Sequence, residues 1–201
     1  MRKETKPILT FALIAINVIV FMALTLVSGR NFGESMIKYG GGTAPLVFDQ
    51  GEWYRLFTSM FLHFDWEHLF GNMVALFAIG IYAESYFGKI RYATIYFMSG
   101  LVGGLFSLLV DQRMNQIAVH AGASGAVFGV MACIIIFAID RQTRPYFPFS
   151  RVIIGIPLLI LPGLMNSQID FVAHIAGFLT GFLISYTFYY FMNNKRPVSK
   201  R

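Results

Sequence analysis

The amino-acid sequence points to an all-α membrane protein: one bundle of six transmembrane helices with both termini on the cytoplasmic side. Three observations carry that expectation. The 201 residues are 56% hydrophobic and 13% charged, with a mean hydropathy of +0.61, a balance too apolar for a soluble domain of this size. Apolar runs recur six times along the chain, most of them near the roughly 20 residues needed to cross a ~30 Å hydrocarbon core. Lys and Arg then gather in alternate connecting segments, the pattern that fixes the orientation of a multi-span protein.

The first run, about 8–27, follows Met-Arg-Lys-Glu-Thr-Lys. It is long enough to span and no small-residue cleavage site follows it, so it reads as a retained helix and not a signal peptide. An external loop, 28–68, comes next, with Gly40, Gly41, Gly42, Pro45 and Trp53 as its turn residues and aromatics. Further spans are expected at about 69–86, 93–110, 124–139, 152–164 and 171–192, bounded by charge, Gly, Pro or Asn. The fifth is short and holds Pro157 and Pro162, which favour a kink or tilt. So little lies outside these runs that the whole chain, 1–201, reads as a single membrane domain. Cys133 sits inside an apolar run, where a lone cysteine serves as a small packing residue.

Formal net charge is +6 and the pI about 9.5. In a soluble protein this would raise the question of nucleic acid; here the basic residues encode topology. With the N-terminus inside, Arg2, Lys3, Lys6, Lys89, Arg91, Arg141, Arg144, Arg151, Lys195, Arg196, Lys200 and Arg201 are cytoplasmic, and Arg30, Lys38, Arg55 and Arg113 remain outside. The acids Glu34, Asp49, Glu52, Asp65, Glu67, Asp111 and Asp170 collect on the outer side. The basic tail from Asn193 to Arg201 is expected to anchor topology and face lipid headgroups, with no nucleic-acid partner.

Polar residues at the ends of spans are costly in hydrocarbon, so each needs an explanation. His68 and Asn72 open the second span, Ser124 opens the fourth, and His174 lies in the first turn of the sixth. Threading alone brings all four to one depth at the outer rim. Gly122-Ala123-Ser124-Gly125 with Gly129 gives a small-residue face on the fourth helix, and His174, Gly177 and Gly181 share one face of the sixth. Close approach of those faces would set the imidazole against the Ser124 hydroxyl, as a nucleophile and its general base require. Ser124 also occupies a helix N-terminus, where free N–H groups favour an oxyanion, and His68 and Asn72, spaced i, i+4, donate toward the same point. His63 precedes the helix and is expected to buttress the loop or its neighbours. Gly-x-x-x-Gly by itself is ordinary helix packing; the histidine on the same stripe gives it meaning.

Other readings are weighed against this one. Asp170, four residues before His174, would be the acid of a conventional triad, but its turn is expected to point to water. His120 is expected to be a loop residue in water. Four histidines beside Asp65 and Glu67 raise a metal site, but no His-Glu-x-x-His pattern is present and neither metal nor cofactor is expected. Internal repeats and paired broken helices, the marks of a transporter, are lacking.

The ordered elements Gly51-Glu52-Trp53-Tyr54-Arg55-Leu56, His63-x4-His68-x3-Asn72, Gly122-Ala123-Ser124-Gly125 and Ala173-His174-Ile175-Ala176-Gly177 with Gly181 resemble the signature of the rhomboid intramembrane serine proteases in its compact six-span bacterial form. The resemblance implies a catalytic dyad of Ser124 and His174 without a third acid, an oxyanion site shared by His68 and Asn72, and an architectural Trp53-x-Arg55 element. It implies a structural role for Glu84 with Gly88, and stacking of Phe128 on the histidine, where many relatives carry a tyrosine. It further implies single-span membrane-protein substrates and a bacterial plasma membrane; with cleavage near the outer face, the short, proline-bearing fifth span is expected as the lateral gate and the 164–170 loop as the cap. The alternative from another class is a non-catalytic rhomboid-like chaperone or binding factor for membrane proteins; such relatives usually lack the serine or histidine that this chain keeps. Oligomeric state is not legible.

Overall fold

Long apolar helices dominate the chain, as hydrophobic runs this poor in charge demand. The computed structural model describes residues 6–28, 32–150 and 170–194. Four of its helices are long and apolar enough to cross a membrane: α1 (Ile8–Ser28), α4 (Trp66–Phe87), α5 (Lys89–Met114) and α8 (Phe171–Asn194). Between α1 and α4 lie α2 (Phe32–Lys38), a π turn at Pro45–Asp49, α3 (Arg55–Thr58) and a 3-10 turn at Ser59–Phe61. The expected fifth span and most of the 164–170 loop fall outside the described residues.

One expected span is shorter than a full crossing. Residues 124–139 form two helices, α6 (Ser124–Met131) and α7 (Cys133–Ile139), joined at Ala132. At 1.5 Å per residue the pair reaches roughly 24 Å, short of a ~30 Å hydrocarbon core. The buried side of α1 runs Thr10, Leu13, Asn17, Phe21, Leu24 and Ser28, a helical stripe of spacing three and four. Its other faces carry exposed Ile, Phe, Val and Leu, the composition that lipid requires. α4 starts at Trp66, ahead of the hydropathy run, because Asp65 caps it by accepting the His68 N–H at 2.7 Å.

The central contact is α5 against α6 and α8, where small residues remove the side chains that would hold helices apart. A Cβ on Gly177 would land on the Gly125 carbonyl, and one on Gly181 would strike the Gly129 backbone. On α5, a Cβ at Gly103 would sit 2.7 Å from the Ala173 carbonyl. Around this seam Phe87, Tyr92, Ile95, Tyr96, Ile136 and Phe137 form a fully buried core.

The segment between α1 and α4 is held as a built unit. Arg55 is buried and donates to the Ile37 carbonyl at 2.6 Å and the Gly41 carbonyl at 2.8 Å, while its Nε pairs with Glu52. Gly42 and His120 exchange both backbone hydrogen bonds, at 3.0 and 2.7 Å, and the Gly122 N–H donates to the Ser59 carbonyl at 2.9 Å. The loop before Ser124 is thereby fastened to the α1–α4 connection. Trp53 is exposed and meets Phe48 edge to face at 5.5 Å.

Candidate active site

Ser124, His68 and His174 lie in the first turns of their helices, with Asn72 one turn further along α4. Asp170 opens α8: its Oδ1 accepts the Ala173 N–H at 2.9 Å and its carbonyl accepts the His174 N–H at 3.2 Å. That cap fixes the first turn, and His174 projects from it into the bundle, 9% exposed. On α6, Ser124 is the first helical residue, with its own N–H among those unpaired within the helix. Phe128, one turn further, stacks on the His174 ring at 4.1 Å with 12° between planes. Parallel stacking at that separation sets the height and tilt of the imidazole from α6, the helix that carries Ser124.

Gly122 does something no other residue could. Its φ is +144°, a conformation that side chains avoid, and a Cβ there would lie 2.7 Å from His68 Cε1 and 2.9 Å from His68 Nε2. The same point is 3.6 Å from Ser124 Oγ. The missing side chain therefore lets the His68 imidazole close on the Gly122 backbone, with the Ser124 hydroxyl beside the same point.

Behind His68 lies a second tier. Phe64 stacks on His68 at 6.3 Å, and His63 meets its edge at 5.0 Å. The Asn72 side-chain nitrogen is 3.1 Å from His63 Nε2. An amide nitrogen only donates, so Nε2 accepts and the neutral His63 ring carries its proton on Nδ1. Burial, with His68 adding to it, pushes the His63 pKa down to about 3, so His63 is a neutral prop for Asn72 at any ordinary pH. A serine at a helix start, a stacked imidazole, and an imidazole and amide nearby can together hold a nucleophile, move a proton and bind an oxyanion.

Two expectations about the surroundings are corrected. His120 is no solvated loop residue: its side chain is 11% exposed and lies between Asp111 Oδ2, 2.8 Å from Nε2, and Asp170 Oδ2, 2.7 Å from Nδ1. Nor does Asp170 point free into water, since Ser107 donates to its Oδ1 at 2.5 Å while it caps α8. The physical reason is the same for both: a carboxylate at a helix start and one at a helix end, brought together by the α5–α8 contact, need a donor, and the imidazole supplies it. Asp111 and Ser107 are residues that sequence reading missed. Both lie at the Ser124 end of α5, and the threading that grouped Ser124 with His174 would have grouped Asp111, His120 and Asp170 as well.

Glu84 stands at the opposite end of the bundle. Its carboxylate accepts the Leu9 N–H at 2.9 Å, the Thr10 N–H at 2.7 Å and the Thr10 hydroxyl at 2.9 Å, while its carbonyl accepts the Gly88 N–H at 2.8 Å. This is a structural arrangement, tying the start of α1 to the end of α4.

Comparison with known proteins gives a consistent result. A family model described as the Rhomboid domain matches residues 50–191. The putative rhomboid protease YdcA of Bacillus subtilis (strain 168) is 31% identical over 182 residues, covering 90% of this chain and 87% of that protein. The rhomboid protease AarA of Providencia stuartii is 32% identical, covering 88% of this chain and 71% of that one. The rhomboid protease GluP of Bacillus subtilis (strain 168) is 32% identical over 178 residues, 88% of this chain, and this chain spans 34% of its length.

Proposed function

The chain belongs to the rhomboid family, and from that premise we propose that it is an intramembrane serine endopeptidase with Ser124 as nucleophile and His174 as general base. The observation that carries the reading is the Phe128–His174 stack at 4.1 Å, one turn beyond Ser124 on a helix pair whose glycines let backbones touch. The Ser124 Oγ attacks the scissile carbonyl as an imidazole nitrogen of His174 takes its proton. The tetrahedral oxyanion is held by the Ser124 N–H with His68 and Asn72, and His174 returns the proton to the leaving amine. Water, deprotonated by His174, then attacks the acyl carbon, and the C–Oγ bond breaks as His174 returns the proton to Ser124 Oγ.

The topology that fits this chemistry is a single domain over 1–201 with six spans, both termini cytoplasmic, the 28–68 segment external, and the active site opening to the outer face of a bacterial plasma membrane. Substrates are single-span membrane proteins that enter from the bilayer, past the fifth span. The test is cleavage of a reconstituted single-span substrate, with labelling by a fluorophosphonate. Ser124→Ala should abolish both. Retained cleavage in Ser124→Ala refutes the nucleophile, and an unlabelled, inactive wild type refutes the protease in favour of a binding factor.

A further inference from the structure

We propose that His120, bridging Asp111 and Asp170 as a charged imidazolium, is a positioning residue that fixes the Ser124 loop against the His174 helix. The inference rests on the protease reading above and adds a residue to it. Both ring nitrogens lie within hydrogen-bond distance of a carboxylate oxygen, at 2.8 and 2.7 Å. A carboxylate only accepts, so both contacts are hydrogen bonds when both nitrogens carry protons, that is, when the ring is charged. A neutral ring would turn one lone pair toward a carboxylate oxygen and lose that bond.

The three bridged segments are those that set the dyad. Asp170 caps α8 four residues before His174, and His120 precedes Ser124 by four. Asp111 belongs to the last turn of α5, the helix that packs against both α6 and α8. The His120 backbone is also paired in both directions with Gly42, so its ring and main chain join four parts of the chain at one point. Contact between α6 and α8 at Gly125 and Gly177 sets their separation, but helices touching through glycine backbones can still slide. A side-chain bridge from the α8 cap to the Ser124 loop opposes that sliding, and catalytic geometry is sensitive to shifts of about 1 Å.

Among the described residues, the ionisable groups facing the ring are Asp111 from α5 and Asp170 from the start of α8, with the Ser107 hydroxyl on the far oxygen of Asp170. Burial alone would lower the His120 pKa, but hydrogen bonds and charge from Asp170 and Asp111 outweigh it, and the ring stays protonated above its ordinary value. Burial would likewise raise Asp170, and its contacts with His120, Ser107 and Ala173 bring it below the usual carboxylate range. A raised histidine contributes its stabilisation fully below its unfolded pKa and loses it as pH climbs through the folded value. The bridge therefore weakens on the alkaline side.

The experiment measures steady-state cleavage of a reconstituted single-span substrate from pH 5 to 10 in the wild type, His120→Gln and Asp170→Asn, with fluorophosphonate labelling of Ser124 alongside. Asparagine still caps a helix, so Asp170→Asn removes the charge facing His120 while keeping the cap. Expected is a loss in kcat of about ten- to a hundredfold in both variants at pH 7 with KM nearly unchanged. The wild type should show an alkaline limb that His120→Gln lacks. Should His120→Gln fail to fold, Asp170→Asn and the 15N shifts of the wild-type His120 ring decide. Variants that keep wild-type kcat and the same alkaline limb, or a neutral His120 at pH 7, overturn the inference and leave the protease standing. A wild type that neither cleaves nor labels overturns the protease and, with it, the positioning role, whatever the ring shifts report.

Discussion

The two ends of the bundle bury polar groups for opposite purposes. At the Glu84 end, carboxylates are spent on structure: Glu84 holds the first turn of α1, while Asp140 accepts from the Tyr86 hydroxyl and from the Gln142 N–H at 2.7 Å. Among the described residues, these carboxylates accept from backbone N–H groups and hydroxyls that tie helices and turns together. At the Ser124 end a hydroxyl and imidazoles, which can both donate and accept, gather with an amide where Gly122 lets His68 approach, beside the carboxylates that His120 bridges. In an apolar bundle, then, burial and charge do not mark the chemistry. What marks it is a cluster of groups that can both donate and accept a proton.

The sharpest way to break that contrast is to remove one imidazole. His174→Ala should cost about 10⁴-fold or more in kcat, the scale seen when a base is removed from a serine nucleophile, while melting in detergent stays near the wild-type value. Glu84→Ala should do the reverse. Losing a carboxylate that accepts two backbone N–H groups and a hydroxyl leaves buried donors unpaired, at a cost of about 3 kcal/mol in stability, with kcat of the folded fraction unchanged. If Glu84→Ala loses activity while melting normally, the division between the ends fails.

Glycines sharpen the same contrast on a smaller scale. Gly181→Ala drives a methyl into the Gly129 backbone and should cost about 1–3 kcal/mol, with lower kcat because α8 carries His174. Gly71→Ala, on a face of α4 with nothing within 4 Å, should instead stabilise by about 0.5–1 kcal/mol through lost backbone entropy. Thermal melts of the two variants side by side check both signs.

Much of this was legible beforehand, and the exceptions have physical causes. Four expected spans appear within a few residues of α1, α4, α5 and α8, because hydropathy reads membrane helices directly. The start of α4 was misplaced by three residues, since a hydropathy run ignores a cap such as Asp65. Ala132, between α6 and α7, keeps helical φ and ψ of −60° and −22°, so 124–139 is one apolar helical segment, as its hydropathy suggests. His120 departs from expectation for a non-local reason. Its two partners are 9 and 50 residues away in sequence, and a loop position says nothing of what the fold places beside it.

The mildest test concerns the ring that links the two helices. Phe128 is 9% exposed and lies flat against His174. If the ring's work is to hold the imidazole by its face, a hydroxyl at its far edge adds little, and Phe128→Tyr should keep kcat within about twofold. Phe128→Leu keeps the volume approximately but removes the flat face. An aromatic stack contributes about 0.5–1.5 kcal/mol beyond area burial, and tenfold corresponds to about 1.4 kcal/mol, so kcat/KM should fall by about two- to tenfold. A larger loss in the tyrosine variant than in the leucine variant would mean that the site rejects the hydroxyl and that clearance, not stacking, is what this position controls.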